Sequence, residues 1–260
     1  MSLHHLAASV PLLLFGACAA DTADHWGRHL DGAVWVDALA VQTERPELLL
    51  PALGLLEASI GLAIADRHVQ EQAVEDHPIT KGDTNNGDAA AFGLGVLATG
   101  LGVGELIDGD GGHGLETLGE SFLLVEGTTQ LLKAVVGRRR PEHGSPNSFP
   151  SGHTSFAFTM ATYVARRDAD LGDEWYNSLG WFAYAPATYV GINRVEGNRH
   201  WPSDVAFGAF LGLFFTNVVY DAHYGREGHQ SIFTPQHHAQ LTIEPSVGTE
   251  HSELDFVLRF

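Results

Sequence analysis

Long apolar segments separated by polar linkers dominate the 260-residue chain. Six segments have the length and the spacing of apolar positions that are typical of helices. They span residues 48–65, 89–107, 115–136, 154–166, 178–191 and 203–220. Pro202 directly precedes the last of them, at a position where helices tolerate proline. The pattern predicts an all-α fold, a helical bundle of five to six helices with short connections.

Strict alternation of apolar and polar residues occurs only near the C-terminus. Leu241 and Ile243 alternate with polar residues, as do the apolar positions between 254 and 260. This pattern predicts a small β-hairpin that turns around residues 245–248. We expect the hairpin to pack against the helical body or to form a homo-oligomer with a second copy. The expected domains are a helical domain over residues 20–235 and a hairpin extension over residues 236–260.

The N-terminal residues carry a short apolar run over positions 6–17, which is too short to anchor stably in a bilayer. The run predicts a signal peptide over residues 1–19, because Ala17 and Ala19 flank Cys18 as in a small-x-small cleavage site. Lipoprotein processing at Cys18 is the alternative. Either route predicts a periplasmic or cell-envelope location.

Two of the apolar segments, 48–65 and 89–107, are long enough to cross a membrane. Acidic residues interrupt the apolar helices, however, and the mean hydropathy of the chain is only -0.02. The acidic residues are Glu57, Glu105, Glu120 and Glu126. We therefore expect a soluble or peripherally bound periplasmic domain that contacts the membrane surface. An integral inner-membrane protein is the alternative.

The charge balance excludes nucleic acid as a partner, because 32 acidic against 14 basic residues give a formal charge of -18. Against this background Arg138, Arg139 and Arg140 follow closely after Lys133. Such a cluster of cations indicates a local site for an anion. The alternative is a solvated basic turn, since cations are favoured at the C-terminus of a helix in any case.

Three short stretches carry residues suited to phosphate chemistry. They are Lys133-x6-Arg140-Pro141, then Pro150-Ser151-Gly152-His153, then Arg194-x5-His200-x3-Asp204. In this order and with these gaps they resemble the signature of the type 2 phosphatidic acid phosphatase superfamily. That superfamily also includes bacterial class A acid phosphatases and vanadium-dependent haloperoxidases. The resemblance directly covers residues 133–204 and implies an all-α bundle.

The candidate phosphate-binding residues are Lys133, Arg140, Ser151, Gly152 and Arg194. A phosphoryl group in transfer carries negative charge on three oxygens, so it needs donors that are fixed in advance. The planar fork of arginine bonds two phosphate oxygens at once, whereas lysine acts as a point charge. The turn at Ser151 and Gly152 frees backbone N–H groups where the next helix begins. This set binds an anion without a metal or another cofactor.

The candidate catalytic residues are His200, His153 and Asp204. The resemblance implies that His200 is the nucleophile and that Asp204 orients it. His153 would be the general acid that protonates the leaving oxygen and later activates water. A carboxylate bonded to one ring nitrogen of histidine also fixes the tautomer of the ring. This chain has Asn193 where the family commonly has serine, which leaves the role of that position open.

These residues predict a metal-independent phosphatase that acts on a phosphomonoester or a diphosphate through a phosphohistidine intermediate. The expected substrate is a phosphorylated small molecule or lipid, of the phosphatidate or prenyl diphosphate type. A vanadium-dependent haloperoxidase is one alternative, although the chain is short for that class. A non-catalytic envelope protein that retains the fold is the other, although the complete set of costly cations argues against it.

Overall fold

The structure is a computed structural model. It describes residues 32–109, 112–142, 144–170 and 175–225, together with the backbone of residues 240–247 and 252–259. The expected signal peptide over residues 1–19, with Cys18, lies outside the described residues.

The helical body contains seven α-helices and one 3₁₀ helix within the described residues. In chain order they are α1 (Gly32–Glu44), α2 (Pro46–Asp76), α3 (Thr84–Asp108), α4 (His113–Val136), α5 (Gly152–Asp170), the 3₁₀ helix (Trp175–Ala183), α6 (Tyr184–Glu196) and α7 (Pro202–Tyr224). Local signals set several of the boundaries. Pro46 and Pro202 stand in the first turns of α2 and α7, where proline is pre-organised for a helix. Gly109 and Gly137 end α3 and α4 with φ of 95° and 58°, a conformation that favours glycine.

The predicted number of helices, five to six, is wrong. Each of the six predicted segments has a counterpart, but α1 was missed. The reason is that α1 buries only a small face, made of Ala38, Val41 and Gln42. One of these three residues is polar, and the apolar run of the segment is short and is interrupted by Asp37.

The predicted C-terminal β-hairpin, with its turn at residues 245–248, is not seen in that form. The part of the chain whose side chains the structure describes is all-helical and contains no strand. Beyond it, the backbone forms two antiparallel strands, β1 (Gln240–Val247) and β2 (Ser252–Arg259). Pro245 lies inside β1 opposite Leu254 instead of in a turn. Proline is tolerated there because both strands of a two-stranded sheet are edge strands.

Helices α5 and α7 form the centre of the bundle, and almost every residue of α5 from Thr154 to Arg167 is buried. Glycines of α7 allow the two backbones to approach closely. A Cβ atom at Gly212 would lie 2.5 Å from the carbonyl oxygen of Ser155 and 2.7 Å from Cβ of Phe158. The contact therefore has no room for a side chain at this position.

Three helices, α2, α3 and α7, are long and apolar enough to cross a membrane by length and composition. Large apolar side chains on the first two are exposed, such as Ile64 at 90% and Ile107 at 79%. Glu105, one of the acidic residues that favoured a soluble domain, is buried and paired with Arg167 at 2.8 Å. It therefore does not interrupt the exposed apolar surface. These findings favour the alternative prediction, an integral membrane protein.

The glycine at the α5–α7 contact gives a test of the packing. We expect Gly212→Ala to lower the unfolding free energy by about 1–3 kcal/mol, because the added methyl group overpacks the contact. Gly100→Ala is the matched control, since Gly100 lies in a helix with nothing within 4 Å of its Cβ position. That change should stabilise the protein by about 1 kcal/mol. Thermal unfolding in one detergent measures both, and equal shifts for the two variants would contradict the packing described.

Candidate active site

All eight residues predicted for the site lie at one end of the bundle, where four helix termini meet. These termini are the last turn of α4, the first turn of α5, the last turn of α6 and the first turn of α7. They carry Lys133, then Gly152 and His153, then Arg194, then Asp204; Arg140, Ser151 and His200 lie in the loops between them. The loops from α4 to α5 and from α6 to α7 thus supply the rest of the site.

Lys133 fixes the loop that leads into α5. Its Nζ donates to the carbonyl oxygen of Asn147 at 2.9 Å and to that of Pro150. Burial and the nearby charge of Arg140 lower the pKa of Lys133 to about 8. The ammonium group therefore remains charged at neutral pH while it holds the loop.

Arg194 is buried, and acceptors on α3 and on the neighbouring Asn193 hold it in one orientation. Its NH1 group donates to Oδ1 of Asp88 at 2.8 Å, and its NH2 group donates to the carbonyl oxygen of Thr84 at 2.6 Å and to Oδ1 of Asn193. The Nε–H groups of Arg194 and Arg140 are buried without a hydrogen-bond partner among the described residues. Two charged groups of the site therefore each keep a donor without an acceptor among the described residues.

Asn193, which replaces the serine common in the family, is fully buried. Its Nδ2 donates to the main-chain oxygen of Asp83 at 2.6 Å, while its Oδ1 accepts from Arg194. The amide can do both because it carries a donor and an acceptor on one planar group. Asn193 thus aligns Arg194 and docks the start of α3 against the end of α6.

The turn at Ser151 and Gly152 only partly matches its predicted role. The N–H of Ser151 donates to the carbonyl oxygen of Asp204 at 3.0 Å, and its hydroxyl group bonds that of Thr154 at 2.9 Å. Ser151 is therefore occupied in holding α5 to α7. Helix α5 begins at Gly152, and the first N–H groups of a helix have no intrahelical acceptor. Those of Gly152 and His153 remain suited to an anion.

His200 is buried, and the structure defines its tautomer. Its Nδ1 lies 2.7 Å from the carbonyl oxygen of Ser148 but 3.9 Å from Oδ2 of Asp204. The expected hydrogen bond to Asp204 is therefore not made. A carbonyl oxygen only accepts, so Nδ1 carries the proton and the lone pair of the neutral ring is on Nε2. Burial lowers the pKa of His200, and Lys133 and Arg140 lower it further.

Asp204 is held by several donors other than His200. It accepts hydrogen bonds from the hydroxyl group of Ser148, from the N–H of Trp201 at 3.0 Å and from Arg138 at 2.7 Å. Arg138 also donates to Asp66 of α2 at 2.6 Å. The sequence placed Arg138 in the basic run without a role of its own. In the structure it joins Asp204 to Asp66.

His153 and Asp88 form a contact that sequence reasoning missed. Nε2 of His153 lies 3.2 Å from Oδ1 of Asp88, and both side chains are close to half exposed. Partial burial and the charge of Arg194 lower the pKa of His153 to about 4, against the opposing effect of Asp88. Asp88 belongs to α3, outside the three motifs, so no sequence signal connected it to the site.

The comparison with protein families agrees with this geometry. Residues 115–227 match the family described as the PAP2 superfamily. The three motifs all lie inside the matched residues, which confirms the resemblance that they indicated.

Several curated relatives of known name match parts of the chain. Lipid A 1-phosphatase of Porphyromonas gingivalis is 38% identical over 97 residues, which are 37% of this chain and 21% of that protein. Bacitracin transport permease protein BcrC of Bacillus licheniformis is 34% identical over 79 residues, covering 30% and 35%. Probable diacylglycerol pyrophosphate phosphatase 1 of Schizosaccharomyces pombe is 35% identical over 103 residues, covering 37% and 34%. The matches thus span about a third or less of each relative.

A solved structure also matches, that of a transmembrane PAP2 type phosphatidylglycerolphosphate phosphatase from Bacillus subtilis. The two chains are 24% identical, with a TM-score of 0.48, and the match covers 67% of this chain and 94% of the other.

The low pKa of His153 gives a pH test that needs no turnover. An anion that binds beside His153 favours its protonated form, so binding should take up a proton above the pKa of about 4 in the empty site. With sulfate, which does not itself titrate here, we expect the affinity to fall up to about tenfold per unit as the pH rises between about 4.5 and 6.5. Calorimetric titration measures it.

The control for this titration is His153→Gln, which removes the titrating ring. Its sulfate affinity should vary much less over the same range. A wild-type affinity that does not change with pH would contradict the assignment of His153 to the anion site.

Proposed function

We propose that this protein is a phosphatase that removes phosphate from a phosphorylated lipid through a phosphohistidine intermediate on His200. The observation that carries the proposal is the state of His200: a buried neutral ring whose Nδ1–H is bonded to a carbonyl oxygen, with the lone pair left on Nε2. The partnerless Nε–H donors of Arg140 and Arg194 at the same end of the bundle support it. Two of the relatives are named for phosphatase activity on lipid A and on diacylglycerol pyrophosphate.

In the first step, the lone pair on Nε2 of His200 attacks phosphorus and forms a P–N bond. The bond from phosphorus to the leaving oxygen breaks, and that oxygen takes a proton from the imidazolium of His153. Arg140, Arg194 and Lys133 stabilise the charge on the three other phosphoryl oxygens. Bound phosphate supplies the negative charge that raises the pKa of His153, so the acid becomes protonated in the complex.

In the second step, neutral His153 takes a proton from water while the water oxygen attacks phosphorus. The P–N bond breaks, orthophosphate forms, and the electron pair returns to Nε2 of His200. His153 is again protonated for the next cycle. Asp204 lies 3.9 Å from the ring of His200, so it acts as a nearby negative charge that favours the positive ring of the intermediate.

The lipid nature of the substrate follows from where the site lies on the apolar helices. Asp88 lies in the second turn of the candidate span α3, and Asp204 lies in the first turn of the candidate span α7. The site would then lie at one face of a membrane that α2, α3 and α7 cross. Phosphate groups of lipids lie at that depth, so a substrate anchored in the bilayer can present its phosphate to the site.

Substitution of the two histidines should have opposite effects on the reaction of a substrate with a good leaving group. With p-nitrophenyl phosphate in EDTA, His153→Asn should release about one nitrophenolate per enzyme in a burst and then stall, because p-nitrophenolate leaves without a proton whereas the second step needs a base. His200→Asn should give no burst, because the nucleophile is lost. Stopped-flow absorbance measures both variants.

The wild-type protein is the reference for steady turnover. On the stalled His153→Asn enzyme, the bound phosphate should be acid-labile and base-stable and should map to His200. A burst that persists in His200→Asn would overturn the phosphohistidine mechanism. If the wild-type protein hydrolyses neither p-nitrophenyl phosphate nor a lipid phosphate, the proposal that it is a phosphatase is overturned.

The membrane assignment has a separate test. We expect the full chain to stay in the pellet when cell envelopes are extracted with alkaline carbonate, because the apolar surfaces of α2 and α3 hold it in the bilayer. The Ile64→Arg variant, which places a charge on the exposed surface of α2, should be released from the pellet in a larger fraction than the wild type. Complete release of the wild-type chain would contradict the membrane-spanning assignment and indicate a peripheral protein.

A further inference from the structure

A single carboxylate oxygen occupies the point where the proposed phosphate site and the proposed proton donor meet. Oδ1 of Asp88 lies 2.8 Å from NH1 of Arg194 and 3.2 Å from Nε2 of His153. In the proposed mechanism Arg194 contacts the phosphoryl oxygens and His153 protonates the leaving oxygen. Asp88 comes from α3, which lies outside the residues matched by the family.

The start of α3 is fixed against Arg194, so the contact of Asp88 is set by the fold. Gly87 allows the approach: a Cβ atom there would lie 2.1 Å from Oδ1 of Asn193 and 2.5 Å from NH2 of Arg194. The carbonyl oxygen of Thr84 accepts from the same guanidinium group. The side chain of Asp88 is nevertheless 44% exposed, which leaves it room to rotate into solvent.

An anionic phosphate and the carboxylate of Asp88 compete for NH1 of Arg194 and for Nε2 of His153, because two negative groups that approach the same donors repel each other. Phosphate oxygens and carboxylate oxygens are both negatively charged and both accept hydrogen bonds. The carboxylate oxygen therefore pairs in the empty site with the donors that phosphate would pair with in the occupied site.

We propose that Asp88 is a functional residue of this site: its carboxylate occupies the phosphate subsite of the empty enzyme and competes with bound phosphate for Arg194 and His153. This inference rests on the proposed phosphatase function. The competition weakens the binding of substrate, and it also speeds the release of orthophosphate, since the carboxylate takes back the two donors as the product leaves.

The test compares Asp88→Asn with the wild-type protein in its binding of orthophosphate. The amide keeps the shape of the side chain but removes its charge, so the two donors lose their internal anion. We expect the Kd for orthophosphate to fall about tenfold or more, with a matching fall in its inhibition constant as a product. Isothermal calorimetry in EDTA measures the Kd of the full-length protein in detergent.

Asp83→Asn is the matched control, because it removes the same charge from the same end of α3. The carboxylate of Asp83 accepts from the N–H of Asn85 as the helix cap, and asparagine caps a helix equally well. The main-chain bond from Asn193 to Asp83 also remains in place. We expect the Kd of this variant to stay within about twofold of the wild type, given the screening of exposed charges by salt.

The outcomes separate this inference from the function on which it rests. If Asp88→Asn binds orthophosphate no more tightly than the wild type, while the wild type binds it and hydrolyses lipid phosphates, only the competition is overturned. If Asp88 merely orients His153, Asp88→Asn should lower kcat and leave the Kd unchanged or raised, which also overturns it. If the wild type neither binds orthophosphate nor hydrolyses any phosphate ester, both proposals fail together.

Discussion

Mutual repulsion of cations is the constraint on which the site of this protein depends. Lys133, Arg140 and Arg194 converge with His153 at one end of the bundle, and two like charges about 4 Å apart repel by about 4 kcal/mol near a protein surface. The fold offsets this cost with oxygen atoms that belong to the protein. Main-chain carbonyl groups hold Lys133 and Arg194, and the carboxylate of Asp88 contacts Arg194 directly. These cations are thereby held in place in the absence of a ligand, as electrostatic preorganisation requires.

Ser148 and Arg138 position His200, the proposed nucleophile, and Asp204 in place of a direct histidine–aspartate bond. Ser148 accepts from His200 with its carbonyl oxygen and donates to Asp204 with its hydroxyl group. Arg138 pairs with both Asp204 and Asp66 of α2, so the cluster keeps a net negative charge. The carboxylate is therefore saturated by fixed donors, and its influence on the ring acts through space. This division separates the two tasks that one aspartate often performs, which are to fix the tautomer and to stabilise the positive ring.

The sequence predicted which residues gather at the site but not how they pair. The three motifs stand at helix ends, so short loops were enough to bring the eight residues together. The resemblance implied that Asp204 orients His200, but side chains four positions apart face each other only inside a helix, and α7 begins at Pro202. Asp88 and Asp66 were not predictable, because they come from helices whose approach depends on tertiary packing. The missed α1 shows the same limit, because its Ala38 packs against Val218 and Ala222 of α7 only in the folded bundle.

The arrangement of charges along the bundle explains how the site is kept rigid on one side and adjustable on the other. At the far end, buried ion pairs join Arg166 of α5 to Asp221 of α7 and Arg167 to Glu105 of α3, and losing one partner of such a pair is costly. Helices α5 and α7 are thus fastened at both ends and in close contact between them, which holds His153 and Asp204 at a fixed separation. Helix α3 meets the site through the half-exposed carboxylate of Asp88, which can move without disturbing the core. In the proposed function, a phosphate enters by displacing this one side chain, while the proposed catalytic groups stay in place.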